Sequence, residues 1–230
     1  MIATVSKYIG SLFEGLSHGP NLPEVSIIHD QMDHKIHTIF INGMHNSIER
    51  AKTITTPFQN RKSHLVALLN PTNGTFKDLC RIIALKFGLA TRSSNLLKIH
   101  LLSTPTHVEK IVLIGHSEGG AIVTKAIQDL QKASRHDLLN KIVIHTLGSS
   151  NIIPHQSSVR KIRNHVTSND LFCLIQNPTY TARFALSFFR SKPHQIQKTL
   201  KFYRPTTSNP LREHEVRRGN YNEVLQKKIL

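Results

Sequence analysis

One short run in the middle of the chain has the residue types and spacing for covalent chemistry: Gly115-His116-Ser117-Glu118-Gly119. A serine with glycine two positions before and two positions after suits nucleophilic attack on an acyl carbon. Its hydroxyl must project from a sharp turn between a strand and a helix, where larger side chains at the glycine positions would collide with neighbouring backbone. The helix that follows offers N–H groups and the positive end of its dipole to a developing oxyanion. The plain alternative is a helix start capped by Ser117. The setting argues against it, because the run follows the buried-type strand Lys110-Ile111-Val112-Leu113-Ile114 and opens a helix predicted over 118–133.

The elements that must position this serine alternate along the chain. Strand-like runs fall at 37–41, 64–69, 110–114 and 141–145, with a shorter one at 163–166 and an alternating stretch at 196–203. Between and after them, helical spacing is predicted over 46–57, 78–89, 118–133 and 219–229. Asn42-Gly43, Asn70-Pro71 and Gly148-Ser149-Ser150 close three of the strands. Near-continuous apolar strands alternating with helices predict an α/β fold, with a mostly parallel central sheet and helices on both faces. Residues 1–34 read as a weakly patterned N-terminal lead-in, either trailing or packed, and 35–230 as a single domain.

With these features in place, the chain resembles an α/β hydrolase of the lipase and esterase kind over about residues 36–225, compact and with little or no cap. The resemblance implies an oxyanion-hole loop after an early strand. Ile41-Asn42-Gly43-Met44 stands there, with Asn42 in place of the usual histidine, and an ordinary Asn-Gly turn as the simpler alternative. The resemblance implies that the backbone N–H groups of Met44 and Glu118 form the hole. It also implies the chain order nucleophile, acid, histidine. A serine hydroxyl needs a base, and the base an orienting carboxylate. Asp129 and Asp137 fall in or just after the helix that follows Ser117 and are poorly placed. Asp170, after Val166-Thr167-Ser168-Asn169, matches the acid loop, with an Asx turn or helix cap as its alternative. His214, late in the chain, matches the base, with an ordinary surface histidine as its alternative; His155, His165 and His194 fit the order less well. A looser likeness joins Ile41-Asn42-Gly43-Met44, Asn70-Pro71-Thr72-Asn73-Gly74 with Asp78, and His116-Ser117-Glu118-Gly119. Together they are similar to a chlamydial family of hydrolase-like proteins, a likeness that supplies no substrate.

The expected activity is hydrolysis of a carboxylic ester or thioester, small-molecule or lipid, through an acyl-Ser117 intermediate. The competing expectation is a hydrolase-like binding or effector protein without catalysis. The two cysteines, Cys80 and Cys173, form no C-x-x-C pair, and the fifteen histidines are scattered, so neither a disulfide framework, a metal site nor another cofactor is expected. The chain has 30 Lys and Arg against 14 Asp and Glu, a formal charge of +16. That balance suggests an anionic membrane surface or another polyanion as a partner, above all through the basic C-terminal region. The cations are spaced singly or in pairs without a nucleic-acid-binding motif, so nucleic acid is disfavoured. No apolar run reaches transmembrane length and no secretory signal pattern opens the chain, which predicts a cytoplasmic protein, peripheral to a membrane or exported as an effector in the alternative.

Overall fold

The computed structural model describes residues 24–29, 35–43, 54, 64–149, 151–167 and 200–203. These form an α/β fold. Seven strands make one sheet: β1 (Glu24–His29), β2 (Ile36–Ile41), β3 (His64–Leu69), β4 (Lys110–His116), β5 (Ile142–Leu147), β6 (Lys161–Thr167) and β7 (Leu200–Tyr203). Their order is β1-β3-β2-β4-β5-β6-β7, and every pairing is parallel except β1 with β3. Four helices belong to the described part: α1 (Thr75–Lys86), α2 (Arg92–Leu102), α3 (Glu118–Lys132) and α4 (His136–Leu139).

The central strands are apolar runs because both of their faces are covered. On one face Ile39, Ile41, Leu68, Ile111, Leu113, Ile142 and Ile144 join a single core with residues of all four helices, such as Leu85, Leu97, Ile122 and Leu139. On the other face Phe40, Leu65, Ala67 and Ile114 are also fully buried. The pleat alternates these two sets residue by residue, so neither face leaves room for a polar stripe. Among the described residues no helix is long and apolar enough to cross a membrane.

The structure departs from the sequence expectations in four places. Residues 24–29, expected to belong to a lead-in, form the antiparallel edge strand β1 on β3, with a shift of register between Ile27 and His29. Three β-branched residues in six favour that strand, but the free edge of β3 decides it. The first helix begins at Thr75 and not at 78, its start set by Gly74 at a φ of 98°. Helix α2 has no signal in the sequence, because Ser93, Ser94 and Asn95 are weak helix formers. A capping box between Thr91 and Ser94, together with burial of Leu97 and Leu101, overrides that preference. The single-turn helix α4 likewise has no sequence signal, being only four residues long. The helices expected over 46–57 and 219–229 fall outside the described residues, apart from Ile54, which is helical and buried.

Candidate active site

In an open parallel sheet, ligands bind beyond the carboxyl ends of the strands, where successive connections diverge to opposite sides. Strand β2 is followed by β3 on one side, and its neighbour on the other side is β4, which is followed by β5. The divergence therefore lies between β2 and β4, whose last paired residues are Ile41 and Gly115. Asn42-Gly43 leaves one strand there and His116-Ser117 leaves the other.

Ser117 sits in the turn from β4 into α3 with φ 53° and ψ −120°. A side chain rarely occupies this backbone region, and holding one there costs about 1–3 kcal/mol. The surrounding backbone enforces the turn. A β-carbon on Gly119 would lie 2.3 Å from the Ile41 carbonyl oxygen, and one on Gly115 would lie 2.8 Å from the Gly120 backbone. The Ser117 N–H donates to the Leu147 carbonyl at 3.0 Å, and the Gly120 N–H to the Ser117 carbonyl at 3.1 Å. Both glycines expected around the serine are thus required by close approach. Gly43 is required in the same way, since a β-carbon there would stand 2.6 Å from the Ser117 β-carbon and 3.2 Å from its hydroxyl. The β2 loop therefore presses its bare backbone against the serine side chain.

Beneath this contact lies a buried network of polar side chains that spacing along the chain does not predict. The Asn42 carboxamide accepts from the Asn70 N–H (2.6 Å) and donates to the Gly43 carbonyl (2.9 Å). The Asn70 side chain donates to Glu118 (2.8 Å) and accepts from the Ser93 hydroxyl (2.6 Å). Arg81 clasps Glu118 with two N–H groups, at 2.8 and 3.0 Å, and reaches the Pro71 carbonyl at 3.1 Å. The same guanidinium pairs with Asp78 at 2.9 Å. Asp78 in turn accepts from the Thr72 hydroxyl and from the Asn73 N–H. Burial pushes the Glu118 carboxyl above its ordinary range, while Arg81 and Asn70 pull it back. The three motifs Asn42-Gly43, Asn70 to Asp78 and Ser117-Glu118 are therefore joined through side chains. Asn42 differs from a histidine in that one flat amide offers an acceptor and two donors to adjacent loops. The available sequence signal was the oppositely charged pair Asp78 and Arg81 at i, i+3 on one helix.

No family model matches the chain, and no curated protein matches it significantly. Among solved structures, a lipase-esterase related protein from Clostridium acetobutylicum ATCC 824 is similar, with 14% sequence identity and a TM-score of 0.37. The similarity covers 56% of this chain and 47% of that one, so the chain spans about half of that protein's length.

Of the residues expected at the site, Ser117, Gly115, Gly119 and Glu118 come together at the end of β4. Glu118 is the first residue of α3, where backbone N–H groups have no partner within the helix. Met44, Asp170 and His214 lie outside the described residues. The acids expected to be misplaced are so: Asp129 pairs with Lys125 along α3, and Asp137 with Arg135 on the surface. His165 is buried on β6, its Nε2 3.0 Å from Nδ1 of His145. A second histidine cluster, His37 with His64 and His100, lies at the opposite, amino end of β2 and β3. Among the described residues no group of three or more His, Cys, Asp or Glu is placed to hold a metal ion.

Proposed function

We propose that the protein is a serine hydrolase that cleaves a carboxylic ester or thioester through an acyl-Ser117 intermediate. The observation that carries this reading is the turn at Ser117, held in a costly backbone conformation while the Gly43 loop packs against its side chain. A serine that only capped a helix would need neither the strain nor a bare loop beside its hydroxyl. In the proposed reaction the Ser117 oxygen attacks the acyl carbon as His214 takes its proton, with Asp170 orienting the imidazole. The N–H groups of Met44 and Glu118 hold the oxyanion. His214 then protonates the departing alcohol or thiol; water, deprotonated by His214, attacks the acyl carbon, and the acid leaves as the Ser117 oxygen recovers the proton from His214.

A fluorophosphonate probe tests the nucleophile directly. The folded protein should be labelled on Ser117, while Ser117→Ala should not, and His214→Ala should slow turnover of an aryl ester by orders of magnitude. Absence of labelling in folded protein would leave a binding protein on a hydrolase-like frame and end the catalytic proposal.

A further inference from the structure

The large hydrophobic side chains standing exposed among the described residues all lie on α1, its C-terminal cap or α2: Phe76 (67% exposed), Leu79, Phe87 (78%), Ile99 (59%) and Leu102. On α1 they form a line. Phe76, Leu79, half-buried Ile83 and Phe87 stand at i, i+3, i+7 and i+11, the spacing of a single crest along a helix. The opposite side of α1 faces inward, where Arg81 pairs with Asp78 and reaches Glu118 and Leu85 joins the core. Helix α2 buries Leu97 and Leu101 in that same core, so Ile99 and Leu102 turn away from the same layer. An exposed apolar surface of this kind marks an interaction site.

Charge selects the partner. Residues 75–102 contain five Lys or Arg and one carboxylate, Asp78, which is buried against Arg81. Arg92 is exposed at the start of α2, and Lys98 directly precedes Ile99. Apolar side chains set among cations, with no exposed carboxylate in the segment, match an anionic phospholipid surface. The crest enters the acyl boundary while the cations meet headgroup phosphates. We infer that α1 and α2 dock the protein flat on an anionic phospholipid bilayer. Because α1 also grips Glu118, docking through this helix fixes the height of the Ser117 turn relative to the lipid.

Co-sedimentation of the full chain with phosphatidylcholine vesicles containing roughly 30% phosphatidylglycerol tests this. Wild type and Ser117→Ala should bind alike, since docking does not depend on catalysis. Phe76→Ser/Phe87→Ser should weaken binding at least about tenfold with an unchanged thermal midpoint, because both side chains are exposed. Arg92→Glu/Lys98→Glu should weaken it comparably, which guards against a folding defect in the first variant. Wild type that ignores these vesicles overturns the inference. So does undiminished binding by both variants, which would move the contact elsewhere on the basic chain. A wild-type dimer that the Phe76/Phe87 variant converts to monomer, with no vesicle binding, overturns it in favour of a second copy of the chain.

Discussion

Replacing Arg81 with methionine, Arg81→Met, keeps the length of the side chain and removes its charge. Arg81, Asp78 and Glu118 are 6%, 0% and 0% exposed in their side chains, so the variant leaves two carboxylates in a dry site without their shared cation. Breaking a buried pair from one side costs about 3–5 kcal/mol. For a chain of this size each kcal/mol lowers the melting midpoint by about 2–4 °C, so the expected fall at pH 7 is on the order of 6–20 °C. The two carboxylates do not suffer equally. Asp78 keeps the Thr72 hydroxyl and the Asn73 N–H, whereas Glu118 keeps only the Asn70 amide. The proton that relieves the site therefore goes to Glu118, whose carboxyl burial already pushes up. A carboxyl raised in the folded state favours folding below its unfolded value and loses that advantage as pH rises. The penalty of Arg81→Met relative to wild type should thus shrink between pH 7 and pH 5. Arg81→Met/Glu118→Gln should recover much of the loss at pH 7, with a coupling of about 1–3 kcal/mol. Urea unfolding of the four proteins of this cycle at both pH values measures it. A loss under about 1 kcal/mol at pH 7, or an equal loss at both pH values, would refute the account of a buried cation holding two ionised carboxylates.

Two further outcomes follow from the strained turn and the buried histidines. Ser117→Gly should raise stability by about 1 kcal/mol while removing acylation, because glycine adopts φ 53° without strain; a less stable variant would show that the turn stores no strain. Acidification offers the second: burial, reinforced by neighbouring cations and histidines, lowers His37 to about 3 and His145 to about 2. A base lowered in the folded state supports folding above its unfolded value and loses that support as pH falls, so stability should drop from pH 6.5 toward 5. Each such histidine contributes about 1.4 kcal/mol per pH unit, and His145→Gln should remove one share of the slope. An unchanged slope in that variant would exclude His145 as the source.

The local signals at Ser117 were complete in the sequence. A strand of β-branched residues, two glycines at fixed offsets and a following helix are short-range features, and the structure places all of them as read. The alternation of apolar runs likewise carried the α/β class, because strands covered on both faces cannot hide their hydrophobicity. Strand β1 and helix α2 were not legible in this way. The first depends on the open edge of β3, and the second on burial that outweighs poor helix formers. Nor could spacing reveal that Asn42, Asn70, Arg81 and Glu118 meet, since 76 positions separate the first from the last. Hydrophobic periodicity encodes which side of an element turns inward. It carries no information on which buried polar groups will satisfy one another across loops, and packing three strand ends together decided that.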